Sequence, residues 1–118
     1  RLVFQSLTYK KEFRTYNRRP IPVLMIMTTN APEASYGPNG YTQLLERYRG
    51  MLGTFVGPTR ILTSSETLQV SDYSRFDWTI FDPEARKLRH ETVFPADKQR
   101  AFDLGGQMVT DAWEAAHT

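Results

Sequence analysis

Residues 21–30 read Ile21-Pro22-Val23-Leu24-Met25-Ile26-Met27-Thr28-Thr29-Asn30, and their pattern decides the fold. Val23 to Met27 is apolar at every position instead of at alternate ones. A strand with one wet face alternates; a strand covered on both faces, as in a parallel sheet layered by helices, does not. Pro20 and Pro22 stand where such a strand begins, where a missing backbone donor is tolerated, and Pro20 disfavours helix at Arg19.

Downstream, Asn30 to Gly40 collects Pro32, Pro38, Gly37, Gly40 and Asn39 and reads as a loop. It exceeds the roughly 2–6 residues usual between strand and helix, and long loops at the carboxyl ends of buried strands commonly carry ligand contacts. From Tyr41, Leu44, Leu45, Tyr48, Met51, Leu52 and Phe55 recur at helical steps opposite Glu46, Arg47 and Arg49. The pattern predicts an amphipathic helix ended by Gly53 and Gly57-Pro58. Thr59 to Ser64 predicts a second, more polar strand suited to a sheet edge. Residues 65–82 show no firm period. Asp82-Pro83-Glu84 is a helix start with cap, first-turn proline and acid, predicting a short helix to about Glu91. Pro95 to Ala116 carries Ala101, Phe102, Gly105, Met108, Val109, Ala112, Trp113 and Ala116 on one stripe, predicting a long helix. Upstream, Arg1 to Tyr9 is apolar at Leu2, Val3, Phe4 and Leu7 and reads as the end of a helix, followed by a polar stretch to residue 20.

This alternation of strands and helices implies an α/β domain with a parallel sheet. Two strands do not make such a sheet by themselves. The chain also opens on Arg1 and not on methionine. It is therefore expected to be the C-terminal portion of one domain, residues 1–118, with the remaining strands supplied from upstream.

Composition narrows the function classes. The 118 residues are 40% hydrophobic and 24% charged, with no cysteine, which excludes disulfides, thiolate metal sites and cysteine nucleophiles. No apolar run approaches the ~18 residues of a membrane helix, so no membrane association is expected. Fifteen basic against thirteen acidic residues leave a net charge of +2, too balanced to imply nucleic acid. Lys10, Lys11, Arg14, Arg18 and Arg19, interleaved with Tyr9, Phe13 and Tyr16, form the one basic cluster; no nucleic-acid module accompanies it.

The stretch VLMIMTTNAPEASYGPN (23–39), the helix YTQLLERYRGML and the segment GPTRILTSSETLQV together resemble the C-terminal half of flavodoxin-like NAD(P)H-dependent FMN reductases, in the branch related to iron–sulfur flavoproteins. The resemblance spans nearly the whole chain and rests on the order and texture of its elements. It implies a three-layer α/β sandwich around a five-stranded parallel sheet, with FMN at the carboxyl ends of the strands. By it, Val23–Thr28 is the fourth strand, Ile61–Thr63 the fifth and Pro95–Ala116 the last helix. It further implies NAD(P)H as reductant, a small-molecule or protein electron acceptor, a homo-oligomer and a cytoplasmic setting. The Gly/Ser-rich phosphate loop of that family, its third-strand loop and the cysteine cluster of the iron–sulfur branch have no counterpart in this sequence.

Within that resemblance the candidate cofactor-binding residues are Thr28, Thr29, Asn30, Ala31 and Tyr36. Hydroxyls, an amide and backbone donors there suit the polar edge of a flavin, and Tyr36 suits its ring. Equally, Thr-Thr-Asn can close a strand with an Asx turn. Ser64, Ser65 and Glu66 follow the second strand and line the same rim or form an exposed loop; no nucleophile elbow surrounds the serines. His90 and His117 lack metal-ligand spacing, and Asp72, Asp77 and Asp82 match no calcium loop. No metal site is expected, and no residue is assigned as catalytic. Trp78, Phe81 and Phe94 are candidates to cover a partner subunit. The readings carried forward are an FMN-dependent oxidoreductase, a flavodoxin-like electron-transfer or protein-interaction module, and a non-enzymatic α/β piece that completes another chain's sheet.

Overall fold

The computed structural model describes residues 7–8, 14–77 and 80–118. In chain order the elements are β1 (Leu7–Thr8), β2 (Arg14–Thr15), β3 (Val23–Thr28), α1 (Tyr41–Phe55), β4 (Thr59–Ser64), α2 (Pro83–Thr92) and α3 (Phe94–His117). The described residues form a mixed α/β structure with a two-stranded parallel sheet, a small antiparallel pair and three α-helices.

β3 and β4 run parallel in the register Val23↔Thr59 to Thr28↔Ser64, and α1 is their crossover, as parallel strands require. The N–H groups of Val23 and Thr29 donate to the carbonyls of Pro58 and Ser64 at 2.9 and 3.0 Å. Odd-numbered residues of β3 therefore face β4, and the backbone groups of Leu24, Ile26 and Thr28 face the opposite edge. Among the described residues no strand stands there.

The helices end where local chemistry satisfies or denies their backbone groups. Gly40, at φ 78°, turns the chain into α1, and the N–H groups of Tyr41 and Thr42 donate back to the Tyr36 carbonyl. At the other end the Phe55 carbonyl, an orphan acceptor of the last turn, takes donors from Thr15 Oγ1 (3.0 Å) and Asn17 Nδ2 (2.7 Å). Gly53 does not stop the helix but lies inside it; the stop falls at Val56 and Gly57, whose N–H groups both reach the Leu52 carbonyl. A side chain at Gly57 would collide with the Ile21 backbone, so the chain can pass there only as glycine. Asp82 Oδ1 accepts the Glu84 N–H at 2.9 Å and caps α2, with Pro83 in its first turn. Val93 closes α2 and opens α3.

A second expectation, at the N-terminal end, is corrected. Leu7–Thr8 is not a helix end but a strand, paired antiparallel with Arg14–Thr15 (Leu7↔Thr15, Thr8↔Arg14). A short apolar run does not separate helix from strand by periodicity, and the β-branched Thr8 and Thr15 favour the ladder. The rest of that proposed helix end, residues 1–6 and 9, lies outside the described residues, as do Lys10, Lys11 and Phe13 of the basic cluster, and Trp78.

The core is thin. Tyr36, Leu45, Leu62 and Tyr73 are the buried apolar side chains among the described residues. The radius of gyration is 18.4 Å, against about 13–14 Å for a compact chain of this length. Ile26, inside a strand patterned for burial on both faces, is 52% exposed, and Phe102, Val109 and Trp113 stand out from α3 at 78%, 73% and 67%. At the amino ends of the strands an open groove of about 650 Å³ runs between Pro20, Pro22 and Pro58 on one side and Met108, Ala112 and Ala116 on the other. None of the described helices is long and apolar enough to cross a membrane.

Candidate functional site at the carboxyl ends of the parallel strands

The chain segments leaving β3 and β4 are stitched together edge to edge. Thr67 donates to the Thr29 carbonyl through both its N–H (2.9 Å) and its hydroxyl (3.1 Å), and the Glu66 N–H reaches the Ala31 carbonyl at 3.2 Å. To make that bond Glu66 adopts φ 54°, a left-handed conformation that costs a side-chain-bearing residue energy.

Three charged side chains from the C-terminal helices grip this double turn. Arg86, 6% exposed, reaches three acceptors at once. Its Nε donates to Asn30 Oδ1 (3.0 Å), Nη2 to the Asn30 carbonyl (2.9 Å) and Nη1 to Glu66 Oε1 (2.8 Å). The guanidinium also sits 5.0 Å from the centre of the Phe81 ring. One turn on, Arg89 donates through Nε to the Ser65 carbonyl (2.8 Å) and through Nη2 to Ser65 Oγ (3.1 Å). Asp97, in the first turn of α3 and buried, accepts the Ser64 hydroxyl at 2.6 Å. A rigid planar fork suits Arg86 to bridging two loops, a task a lysine ammonium could not perform at three acceptors in one plane.

The five sequence-nominated residues have distinct places here. Thr28 ends β3 with its side chain exposed. Thr29 is turned inward: its hydroxyl donates to the Ala31 carbonyl at 2.8 Å, so its single proton is used and the Tyr36 hydroxyl, 3.1 Å away, donates to it. Tyr36 is 5% exposed, its ring edge-on to Tyr41 at 5.6 Å, so it braces the loop from beneath. Asn30 and Ala31 are half-buried on the rim. The backbone N–H groups of both, and the Asn30 Nδ2, have no partner among the described residues. Asn30 and Ala31 thus carry donors without a partner among the described residues and Thr28 is exposed beside them in sequence, whereas Thr29 and Tyr36 hold the turn.

Ser64 and Ser65 are buried and engaged with Asp97 and Arg89, an arrangement of structural clamps and not of a nucleophile with its base. No cluster of metal-ligating side chains exists among the described residues. His90 is exposed and stacks on Phe94, ring centres 5.1 Å apart. Asp72 and Asp82 serve as caps, accepting from Ser74 and Glu84.

Sequence reasoning nominated Glu66 but missed Arg86, Arg89 and Asp97. A signal existed. Once Asp82-Pro83 sets the start of α2, Arg86 and Arg89 fall three apart on one face. That face carries cations where a packed helix would show apolar residues. No family model, curated protein or solved structure matches the chain.

Proposed function

We propose that these residues form the C-terminal half of a flavodoxin-like domain in an FMN-dependent oxidoreductase of the NAD(P)H-dependent flavin or quinone reductase type. The observation that carries this reading is the set of donors at the carboxyl end of β3 that have no partner among the described residues, held by a buried clamp. Ligands of open parallel sheets bind in the crevice outside the carboxyl ends of the strands. The pyrimidine edge of an isoalloxazine ring is rich in acceptors, and the N–H groups of Asn30 and Ala31 with the Asn30 amide suit it. When bound, the flavin would supply the hydride and electron chemistry. The described residues offer no comparable arrangement for a phosphate tail, since Arg86 and Arg89 are spent on internal acceptors. In this reading the phosphate end of the cofactor is held by residues upstream of this chain. Electrons would pass to a small-molecule or protein acceptor, from a homo-oligomer working in the cytoplasm.

The test is the visible spectrum of the full-length protein carrying these residues. A yellow protein that releases FMN on denaturation and loses its colour with reduced nicotinamide supports the reading. A protein that purifies colourless and takes up no added FMN overturns it.

A further inference from the structure

We infer that Arg86 is a positioning residue that fixes Asn30 as an outward-facing donor, so that the rim selects a ligand presenting a carbonyl or anionic oxygen. The inference rests on the flavin reading for the identity of the ligand, but its geometry stands on this chain alone.

An asparagine amide has two ends of similar shape and opposite hydrogen-bonding character. A guanidinium can only donate. With Arg86 Nε 3.0 Å from the Asn30 side chain, the end facing inward must be Oδ1, and Nδ2 is turned to the rim. Arg86 Nη2 simultaneously takes the Asn30 carbonyl at 2.9 Å, which leaves the backbone acceptor of that residue pointing inward as well. Both acceptors of Asn30 are therefore consumed by one buried side chain, and what remains toward solvent is its N–H and its NH2 group. The neighbouring Ala31 repeats the pattern: its carbonyl is taken by Thr29 Oγ1 and the Glu66 N–H, and its own N–H has no partner among the described residues. Glu66, also held by Arg86, neutralises that guanidinium, so the donors of Asn30 are presented without a net charge from the residue that orients them. Such a surface repels other donors and rewards an oxygen acceptor.

Two substitutions in the full-length protein separate the roles. Asn30→Asp keeps an oxygen toward Arg86 and replaces the outward NH2 with a carboxylate oxygen. Arg86→Lys keeps the charge but cannot span the acceptors. Both are expected to raise the FMN Kd roughly tenfold or more, read by flavin fluorescence, with N30D retaining the wild-type melting temperature. In flavin-free protein the Arg86 Nε–H is expected to exchange slowly with solvent by ¹⁵N NMR, and R86K to shift the Asn30 NH2 pair. N30D with wild-type affinity, or a freely exchanging Arg86 Nε–H, overturns the inference. If the wild type binds no FMN, the flavin reading fails by itself, and the positioning role is then decided by the NMR readout.

Discussion

Ser64 Oγ donates to Asp97 Oδ2 at 2.6 Å, tying the last residue of β4 to the first turn of α3 across 33 residues of chain. Both side chains are buried, at 4% and 7% exposure. This bond, the arginine contacts one helix earlier and the 3.0 Å pair of Arg60 with Asp111 tie the C-terminal helices to the strands. The outer faces of α2 and α3 expose Leu88, Phe102 and Val109.

Replacing Asp97 with Ala leaves the Ser64 hydroxyl buried without its acceptor. A loss of about 1–3 kcal/mol is expected. Ser64→Ala removes the donor to Asp97 Oδ2 but leaves Arg100 Nη1 3.5 Å from Oδ1, so it should cost no more than the Asp97 variant. Urea unfolding of both single variants and of the double variant gives the coupling, expected at about 0.5–3 kcal/mol for groups in direct contact. Strict additivity would show that the bond is not made in solution.

Glu66 combines a stabilising contact with a strained backbone. Its carboxylate meets Arg86 at 2.8 Å, yet its φ is 54°. Glu66→Ala loses the ion pair and keeps the strain; Glu66→Gly loses the pair and relieves the strain. The glycine variant is therefore expected to be the more stable of the two by about 1 kcal/mol. Equal stabilities by chemical denaturation would mean that the left-handed turn is not adopted.

Much of this architecture was legible in the sequence because it depends on local rules. The apolar run at Val23–Met27, the turn residues of 30–40 and the Asp82-Pro83 cap each act within a few residues, and β3, α1 and α2 begin at the places they indicate. The clamp was not legible, since its contacts join residues 20 to 56 positions apart and no spacing rule links Asn30 to Arg86. The inward turn of Thr29 and Tyr36 was hidden for a related reason. A hydroxyl at a strand end reads the same whether it faces a ligand or its own loop. Leu7–Thr8 misled because a few apolar residues fit either period.

The β3 edge makes a claim about association. Leu24, Ile26 and Thr28 offer backbone groups along an apolar strand edge that no strand pairs among the described residues, and Ile26 is 52% exposed. Such edges recruit further strands. Residues 1–118 expressed alone are expected to self-associate at micromolar concentration and to bind a hydrophobic dye such as ANS. Ile26→Lys should reduce both. A monodisperse, dye-free monomer by light scattering would show that the edge is protected.

Asp72 provides the pH dependence with the clearest cause. The Ser74 hydroxyl at 2.7 Å and the Ser74 N–H at 3.0 Å both donate to Oδ1, with Lys87 adding a weaker attraction, and together they hold its carboxyl below the ordinary aspartate range. A depressed folded-state pKa favours folding wherever the carboxylate is charged in the unfolded chain. The contribution is therefore complete above about pH 5 and fades as pH falls through the lower folded-state value. At the alkaline end the sign reverses for Lys87, whose pKa Glu84 raises through a 2.8 Å contact; its contribution is present below the ordinary lysine range and fades as pH rises through the folded-state value. Carboxyl-carbon NMR should place the Asp72 midpoint below that of an exposed reference aspartate. Ser74→Ala should move it part of the way back, because the backbone N–H remains. An Asp72 that titrates like the reference in the unmodified protein would show that its hydrogen bonds to Ser74 are open in solution.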